Sequence, residues 1–585
     1  MSHRSEHPLH GLFRPRLSLL SAVALLGLAP AALAATPVSG SVDTAHPSAS
    51  FSAGPFLVPN PSGTAGAVTC NALLPCDNYT LNLSVPAGYD TDHTVAIQVG
   101  WANSTADFDV YVLNAAGAVV ATAASNGNPE TAVLPAVSGT YTVRVVPFAP
   151  LGQSITGKVS IQSVPLPPPP STEPAPVYRA YVAPAELPRA NEAGEPSIGV
   201  NWKSGAVLYQ SNLTMYRVRF DDTVSPATAT WADKSPANAV ISLDPILFTD
   251  STTGRTFSSQ LAGKASLMSY TDDDGENWTP SMGSGINSGV DHQTVGGGPF
   301  GSGLGGLGLY PRAVYYCSQD IADASCAVSR DGGLTFGVAV PMYSLLTCGG
   351  LHGHIKVAPD GTAYVPNKGC NGNQAVAVTT DNGLTWSVRP VPTSQSADSD
   401  PSVGIGSDGT VYFGYQNADG HPHVAVSHDK GLTWKDDQDV GAALGIKNVV
   451  FPAVVAGDGD RAAFAFLGTT TGGNYQDATN FQGVWHLYIA HTYDGGKSWV
   501  TADATPEDPV QRGSICTGGT TCGNDRNLLD FMDVTVDREG RVLVGYADGC
   551  TGACVQSAPN SFSAYASIAR QSSGQPLFRT PRPVP

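Results

Sequence analysis

Charged residues are scarce in this chain, and basic residues are the scarcer kind. Charged residues make up 13% of its 585 residues, with 30 Lys and Arg against 48 Asp and Glu, so the formal net charge is −18. The sequence has no basic cluster, which argues against nucleic acid or an anionic membrane as a partner. An anionic ligand would therefore have to meet a local cationic pocket.

Long apolar runs are also missing beyond the first 34 residues. We therefore expect no membrane span in the rest of the chain, because a spanning helix needs about 20 apolar residues. The amino-terminal segment does contain an apolar stretch, which follows Arg4, Arg14 and Arg16 and ends in Ala-Leu-Ala at residues 32–34. This pattern predicts a signal peptide over residues 1–34, and a mature protein that is secreted or periplasmic.

Two common catalytic motifs are absent as well. The sequence contains neither a G-x-S-x-G nucleophile elbow nor an H-E-x-x-H zinc helix. The first motif exposes a serine on a strained strand-to-helix turn, and the second places two imidazoles on one helix face. Their absence argues against an α/β-hydrolase and against this class of metalloprotease.

Cysteine is present in an even number, and its spacing is informative. All ten cysteines fall in the mature chain as close pairs, which in an exported protein predicts five local disulfides. A zinc site made by the last four cysteines stays open as an alternative, although their spacing does not match a zinc ribbon. The pairs are Cys70/Cys76, Cys317/Cys326, Cys348/Cys370, Cys516/Cys522 and Cys550/Cys554.

A proline-rich segment divides the mature chain. Residues 165–176, PLPPPPSTEPAP, predict a stiff spacer between domains. Residues 35–53 are small and polar, and we expect them to be disordered. Residues 54–164 then form a first domain, and residues 177–585 form a second one of about 400 residues, which is long for a single sandwich.

One short pattern, S/T-x-D-x-G-x-x-W/F, occurs five times in the second domain. The copies start at Thr271, Ser329, Thr379, Ser427 and Thr492, at spacings of 58, 50, 48 and 65 residues. In each copy the Asp can accept hydrogen bonds from turn amides, the Gly allows positive φ, and the aromatic side chain can pack between sheets. The pattern therefore predicts a repeated turn between two strands.

These copies resemble the Asp box of sialidases and other Asp-box β-propellers. The resemblance implies an all-β propeller with the boxes on the outer part of each blade, away from any ligand site. A second pattern, a polar strand entry followed by an apolar strand, recurs near Glu195, Asp244, Asp291, His354, Asp400, Pro452 and Asp533. We therefore expect six or seven blades and favour seven; in the six-bladed alternative, the unit at Asp244 is an insertion or a half-blade.

The first domain alternates apolar and polar residues in short runs, as in TLNLSV and TVAIQVGW. Such period-two patterning predicts an antiparallel β-sandwich. The segments DFDVYVLN from Asp107 and GTYTVRV from Gly139 resemble the bacterial pre-peptidase C-terminal domain family, which implies a module that accompanies secreted enzymes. Asp107 and Asp109 lie on one strand face and could bind calcium; alternatively, they are a solvated pair at a strand edge.

In a propeller, the starts of the inner strands line one mouth of the axis, where ligands bind. This topology makes candidates of the carboxylates and imidazoles at those positions, although any one of them could serve only as a turn residue. Histidines at one mouth could also hold zinc or copper. The candidates are Glu195, Asp244, Asp291, His292, His352, His354, Asp400, Asp530 and Asp533.

The resemblance to sialidases also implies a set of site residues. That family uses three arginines on the substrate carboxylate, a Tyr–Glu nucleophile and an Asp acid/base. Its aromatic-Arg-Ile-Pro motif is absent here. Our candidates are Glu195, Asp291, Asp400, Asp530 and Tyr546 for catalysis, and Arg312, Arg526, His292 and His354 for substrate binding.

Two of these candidates have structural alternatives. Arg526 could form only a loop salt bridge to Asp525 or Asp530, and Tyr546 could be a core aromatic residue.

On this basis we expect a secreted glycoside hydrolase of the sialidase type that acts on terminal sugars of glycans. The alternative is a non-catalytic propeller that binds glycan or protein. Glycans or glycoproteins are the expected partners, and we expect a monomer without a membrane span. Catalysis is expected to need no cofactor, and calcium is expected only in the sandwich.

Overall fold

The computed structural model describes residues 34–62, 68–91, 93–103, 105–124, 128–163, 171–240, 243–262, 265–282, 291–301, 310–320, 323–557 and 559–585. Two compact units, Met1–Pro165 and Leu166–Pro585, make up the chain. All of the predicted signal peptide except Ala34, and part of the proline-rich spacer, lie outside the described residues. The fold is all-β, as predicted. Its described helices are short 3-10 turns at Tyr89–Thr91, Ala442–Leu444, Gly519–Thr521, Asn524–Arg526 and Gly552–Gln556.

The first unit is a β-sandwich of two sheets. One sheet has the strand order β1-β3-β8-β5-β6 and the other β2-β9-β4-β7. Side chains from both sheets, among them Tyr79, Ile97 and Val143, form one buried core. All described pairs are antiparallel except β1 with β3. The strands are β1 (Ser39–Asp43), β2 (Ser48–Ala53), β3 (Asp77–Ser84), β4 (His93–Trp101), β5 (Asp107–Leu113), β6 (Val119–Ala123), β7 (Glu130–Pro135), β8 (Gly139–Ala149) and β9 (Ile155–Ser163).

The expectation of a disordered segment at residues 35–53 is wrong. This segment contains β1 and β2, one in each sheet of the sandwich. The small, polar composition of the segment did not indicate that two of its side chains, Val42 and Phe51, are buried in the core. The sandwich therefore begins before residue 54.

The second unit contains the strands of the propeller. Its sheets have four strands each, and β35 adds a short pairing to β33. The strands are β10 (Val177–Val182), β11 (Ser197–Val200), β12 (Val207–Ser211), β13 (Thr214–Asp221), β14 (Thr228–Asp233), β15 (Leu243–Thr249), β16 (Thr256–Ala262), β17 (Ala265–Thr271), β18 (Thr279–Pro280), β19 (Asp291–Gly298), β20 (Ala313–Gln319), β21 (Asp323–Ser329), β22 (Val340–Ser344), β23 (Lys356–Val357), β24 (Ala363–Cys370), β25 (Asn373–Thr379), β26 (Ser387–Pro390), β27 (Ser402–Ile405), β28 (Val411–Gln416), β29 (Pro422–Ser427), β30 (Lys435–Asp439), β31 (Asn448–Ala456), β32 (Ala462–Thr469), β33 (Val484–Thr492), β34 (Val500–Asp503), β35 (Gln511–Arg512), β36 (Asp533–Val536), β37 (Val542–Asp548) and β38 (Tyr565–Ser573).

Seven blades form a closed ring in the described part of this unit. The first six are β11–β14, β15–β18, β19–β22, β23–β26, β27–β30 and β31–β34, and the seventh is β36-β37-β38-β10. The first strand of each blade contacts that of the next, and β36 contacts β11 to complete the circle. The favoured count of seven is therefore confirmed. The unit that begins near Asp244 is a complete four-stranded blade, so the alternative of an insertion or half-blade is wrong.

The ring is closed by strands from both ends of the unit. β10, which precedes the first blade in sequence, pairs antiparallel with β38 near the end of the chain. The seventh blade is thus shared by the two ends, and its backbone hydrogen bonds hold the ring shut without a covalent link.

The five Asp boxes connect the third and fourth strands of blades two to six. In the box at Thr379, Asp381 Oδ1 accepts hydrogen bonds from Thr385 N at 2.9 Å, Leu384 N at 3.1 Å and Thr379 Oγ1 at 2.8 Å. Gly383 has φ 78°, a conformation that favours glycine. The boxes therefore act as structural turns at the outer part of these five blades, as the resemblance implied.

Disulfides link neighbouring strands or loop segments in both units. The ten cysteines form the five predicted local pairs. The alternative of a zinc site is therefore wrong for Cys516, Cys522, Cys550 and Cys554. In the described part of the chain, no helix has the length and apolarity that crossing a membrane would require.

One Asp box provides a direct test of this structural role. Asp381→Ala removes the acceptor of four hydrogen bonds, two from backbone amides and two from threonine hydroxyls, so we expect the free energy of unfolding to fall by about 1–3 kcal/mol. Denaturant titration measures this loss. The matched control is Glu507→Ala at an exposed position, and equal stability of the two variants would contradict the structural role.

A buried carboxyl at the end of β37 gives a pH prediction. Asp548 is 5% exposed, and burial, with Asp508 nearby, raises its pKa to about 7. Protonated Asp548 therefore contributes its full stabilisation of the folded state below about pH 4, and this contribution is lost as the pH rises to 7. From pH 5 to pH 8 we expect the free energy of unfolding to fall by roughly 3 kcal/mol on its account.

Asp548→Asn isolates this contribution. The amide can keep the bond that Asp548 Oδ1 accepts from Cys550 N at 3.0 Å, but it does not ionise. The difference in unfolding free energy between pH 5 and pH 8 should shrink in the variant. An unchanged difference would mean that Asp548 does not titrate with a raised pKa.

Candidate functional site

The polar side chains at the starts of the inner strands surround one mouth of the propeller axis. They line a cleft of about 620 Å³, together with Lys368 from the second strand of blade four and with the loop at residues 517–519. Below this cleft, toward the axis, lies a small cavity of about 20 Å³. The cleft-lining groups that carry charge or titrate are Glu195, Asp244, His292, Lys368, Asp398, Asp400, Arg526 and Asp530.

Backbone irregularities are found at two of these positions. Asp244 has φ 50° and His292 has φ 46°, values that residues other than glycine rarely adopt. Both lie where the register between the first and second strands of the blade shifts, at a β-bulge or irregularity. Bulges of this kind re-aim side chains and are common next to active sites.

Asp400 lies between two basic groups. Its Oδ2 is 3.1 Å from His292 Nδ1, and its Oδ1 is 2.9 Å from Lys368 Nζ. Burial by itself would raise the pKa of Asp400, but Lys368 and His292 outweigh burial and hold that pKa well below its ordinary value. Asp400 is therefore a buried carboxylate at neutral pH.

Glu195 lies in the opposite electrostatic situation. Its side chain is buried, and its Oε2 accepts a hydrogen bond from the backbone N of Asp244 at 3.2 Å. Burial, with the carboxylates of Asp244 and Asp530 nearby, raises the pKa of Glu195 well above its ordinary value. The cleft thus holds two carboxyl groups whose environments shift their pKa values in opposite directions.

Arg526 and Asp530 both line the cleft and form a salt bridge with each other. The guanidinium donates to both carboxylate oxygens, with Nη1–Oδ1 at 2.7 Å and Nη2–Oδ2 at 2.5 Å. The alternative of a salt bridge from Arg526 to Asp530 is therefore confirmed, and the pair lines the cleft.

Two histidines extend from the mouth toward the axis. His352 Nδ1 is 3.0 Å from the carbonyl oxygen of Gly353, and the ring of His354 packs edge-on against Phe531 at 4.7 Å. Burial lowers the pKa of each imidazole to about 4, so both are neutral at physiological pH.

Three side chains come close enough to share one ion. A carboxylate oxygen of Asp244, a ring nitrogen of His292 and a carboxylate oxygen of Asp530 all lie within 4.8 Å of one another. Within the described ranges, no other group of three His, Cys, Asp or Glu side chains is this tight.

Some predicted site residues lie elsewhere. Tyr546 is 2% exposed and packs in the core between blades, away from the cleft. Arg312 lines a different cavity, of about 260 Å³, at the opposite end of the axis, where its Nε is 2.7 Å from Asp250 Oδ2. Neither residue can act with Arg526 at the mouth. Asp291 begins β19, but its side chain is outside the described residues.

Lys368 and Asp398 were missed by the sequence analysis. Lys368 lies near the end of the second strand of blade four, whereas the carboxylate and imidazole candidates all came from the starts of first strands. Asp398 precedes the fifth blade and accepts hydrogen bonds from Tyr475 Oη at 3.0 Å and Gln476 Nε2 at 3.1 Å. The sequence contains one indication that Lys368 could have a functional role: it is a charged residue near the end of an otherwise apolar strand.

The sandwich brings three carboxyl groups near each other. Asp107 and Asp109 lie on β5, and burial, with Asp107 and Glu130 nearby, raises the pKa of Asp109 to about 6. Among the described atoms these groups do not reach the tight spacing found at the propeller mouth. The calcium site at Asp107 and Asp109 stays a prediction.

No family model matches this chain, and no curated protein matches it. Solved structures that resemble it include an α-L-arabinanase from Penicillium chrysogenum, at 12% identity over 70% of this chain and 100% of that one, with a TM-score of 0.32. NanB sialidase from Streptococcus pneumoniae shares 10% identity over 84% and 97%, with a TM-score of 0.32. A lectin from Aleuria aurantia shares 14% identity over 53% of this chain and 96% of that one, with a TM-score of 0.33. At these values the likeness assigns no activity or ligand to this chain.

Proposed function

We propose that this chain is an exported glycoside hydrolase that removes a terminal sugar at the propeller mouth. The observation that carries the proposal is the position of Glu195 and Asp400. They precede the first strands of blades one and five, which lie across the axis from each other in a ring of seven, and both line the same cleft. Glycoside hydrolysis needs two carboxyl groups that flank the scissile bond.

The contacts of the two carboxyl groups support distinct roles. Asp400 is held as a carboxylate by Lys368 and His292, which suits a nucleophile or a base that activates water. Among the described residues, Glu195 accepts one hydrogen bond, from a backbone amide, and has no cation at salt-bridge distance. Glu195 is therefore the group suited to donate a proton to the glycosidic oxygen.

The charge of the cleft favours a neutral sugar over sialic acid. Arg526 is the one arginine that lines the cleft among the described residues, and its guanidinium already binds both oxygens of Asp530. The three-arginine clamp implied by the sialidase resemblance therefore lacks support here. Five aspartate and glutamate side chains that line the cleft would also repel an anionic sugar.

A non-catalytic propeller that binds glycan is the second candidate. It is favoured by the absence of tyrosine from the described lining of the cleft, because the Tyr–Glu nucleophile pair of the resembled family has no counterpart there. The same hydrogen-bonding groups would then hold a sugar without cleaving it. Turnover distinguishes the two candidates.

Export and partners are part of this proposal. The five disulfides support an oxidising compartment, and the leader predicted at residues 1–34 would direct the chain there. Glycans or glycoproteins outside the cytoplasm would then be the partners, and a monomer would suffice because the cleft is built within one chain.

Glu195→Gln tests the acid role with two kinds of leaving group. Against a panel of neutral terminal glycosides, we expect kcat to fall by about 10²–10⁴-fold for natural oligosaccharides. Aryl glycosides should lose less, because their leaving groups need less protonation. Asp400→Asn should lose activity on both kinds. Glu192→Gln, at an exposed position three residues before Glu195, is the matched control and should keep wild-type rates.

Two outcomes would contradict the hydrolase. One is a fully folded protein that is inactive on the whole panel; glycan binding under those conditions would favour the second candidate. The other is a Glu195→Gln variant with unchanged kcat on natural oligosaccharides. Faster release from sialosides than from every neutral glycoside would overturn the neutral-sugar assignment.

Calcium in the sandwich is a separate proposal. If Asp107 and Asp109 bind the ion, adding Ca²⁺ to chelator-treated protein should raise the unfolding temperature of the sandwich by several degrees. Asp109→Asn should abolish the shift, whereas Asp43→Asn at the end of β1 should keep it. Scanning calorimetry measures both, and a shift that survives in Asp109→Asn would reject this site.

A further inference from the structure

The mouth contains a donor set that acid–base catalysis does not require. Asp244, His292 and Asp530 come from blade two, blade three and the loop before blade seven, so three distant segments bring one ligand atom each within 4.8 Å of the others. Two carboxylates and one imidazole are ligands that divalent transition metals accept.

His292 is oriented in the manner of a metal-binding histidine. Its Nδ1 is 3.1 Å from Asp400 Oδ2 and 3.4 Å from the carbonyl oxygen of His352. A proton on Nδ1, shared with these acceptors, leaves the lone pair on Nε2. Metal-bound histidines usually have such a carboxylate partner on the other ring nitrogen, because it fixes the tautomer and the ring orientation.

A second imidazole provides independent support. His352 is 2% exposed, and its Nε2 has no hydrogen-bond partner among the described residues. Its Nδ1 faces the carbonyl oxygen of Gly353 at 3.0 Å, so Nε2 is the nitrogen with a free lone pair. A buried polar atom without a partner is costly, and a bound ion or a water on that ion would satisfy it.

The space next to these groups has the size of one ion. Asp244, His292 and His352 line the small cavity of about 20 Å³ below the cleft, whereas Asp530 lines the cleft itself, together with Asp244 and His292. About 10–15 Å³ of such volume is enough for one water molecule. The rings of His292 and His352 lie edge-to-face at 6.1 Å, on one side of this cavity.

We propose that Asp244, His292 and Asp530 bind one divalent first-row transition metal ion at the base of the mouth, with His352 beside it. Mixed nitrogen and oxygen ligands favour Zn²⁺, Co²⁺ or Mn²⁺ over Ca²⁺ and Mg²⁺, which prefer all-oxygen ligand sets. This ligand set differs from the all-histidine one that the sequence suggested, because two carboxylates take the places of His354 and His352.

Arg526 does not block the carboxylate of Asp530. The guanidinium uses one lone pair on each oxygen, and a carboxylate has about four acceptor positions. The ion would occupy one of the remaining positions, and Arg526 would hold the carboxylate in place. The ion would lie below Glu195 and Asp400, where it could bind a sugar hydroxyl; the proposal itself does not depend on turnover.

The test is metal binding by the full mature chain, without any glycan. After dialysis against a chelator, Zn²⁺ titration by calorimetry should give one site per chain with micromolar or tighter affinity. Co²⁺ should produce a visible d–d absorption band, which reports nitrogen and oxygen ligation. Neither readout uses activity, so failure of the hydrolase proposal leaves this test intact.

Single substitutions test which side chains bind the ion. His292→Gln and Asp244→Asn should each weaken Zn²⁺ binding by at least 100-fold and remove the Co²⁺ band, whereas Asp400→Asn should weaken binding by 10–100-fold through the orientation of His292. His421→Gln is the matched control, because its imidazole pairs with Asp439 on blade five, outside the mouth cleft. Asp109→Asn should also bind Zn²⁺ like the wild type, which separates the mouth from the sandwich.

Three results would overturn the proposal. They are no stoichiometric Zn²⁺ or Co²⁺ binding, unchanged binding by His292→Gln, and Ca²⁺ binding tighter than Zn²⁺ at the same residues. Far-UV circular dichroism checks that His292→Gln is folded. If it is not, Asp530→Asn takes its place, and wild-type affinity in that variant would equally reject the site.

Discussion

The closed ring of seven sheets determines where the candidate site lies in the second unit. Each first strand contacts the next, and β36 contacts β11, so the starts of all inner strands are forced to one end of a common axis. The pairing of β10 with β38 closes this ring through backbone hydrogen bonds between distant parts of the chain. Without closure, Glu195 and Asp400 would not face each other across one mouth.

Local irregularities in the first strands of two blades shape the candidate site. The blades repeat a regular four-stranded sheet, but the first strands of blades two and three shift register at Asp244 and His292. Positive φ at these two residues is unfavourable by itself, so the surrounding sheets must impose it. The result is a cleft in which cations from Lys368 and Arg526 pair with two carboxylates while Glu195 remains without one.

The sequence was sufficient for the fold and for part of the site. Five Asp boxes and seven polar strand entries predicted the blades, because both patterns are local and repeat along the chain. Glu195, Asp400 and Asp530 followed from the same logic, since each precedes the start of an inner strand. Disulfide pairing followed from short sequence separations.

The errors all involve non-local information. Arg312 precedes a second strand, and second strands start at the opposite end of the axis from first strands, so this arginine faces the wrong cavity. Tyr546 lies within β37, and the alternation of side chains does not reveal that its ring packs between blades. Segment 35–53 was expected to be disordered because its residues are small and polar, and its pairing with distant strands could not be read from that composition. Lys368 meets Asp400 only through the packing of blades four and five.

We propose that the protein acts at the mouth lined by Glu195, Asp400 and Asp530. Hydrogen–deuterium exchange of the mature protein, with and without a mixture of neutral glycans, tests it most directly. Bound glycan should slow the exchange of residues 195–198, 398–402 and 514–532. No protection anywhere, or protection confined to the sandwich or to the cavity beside Arg312, would contradict it.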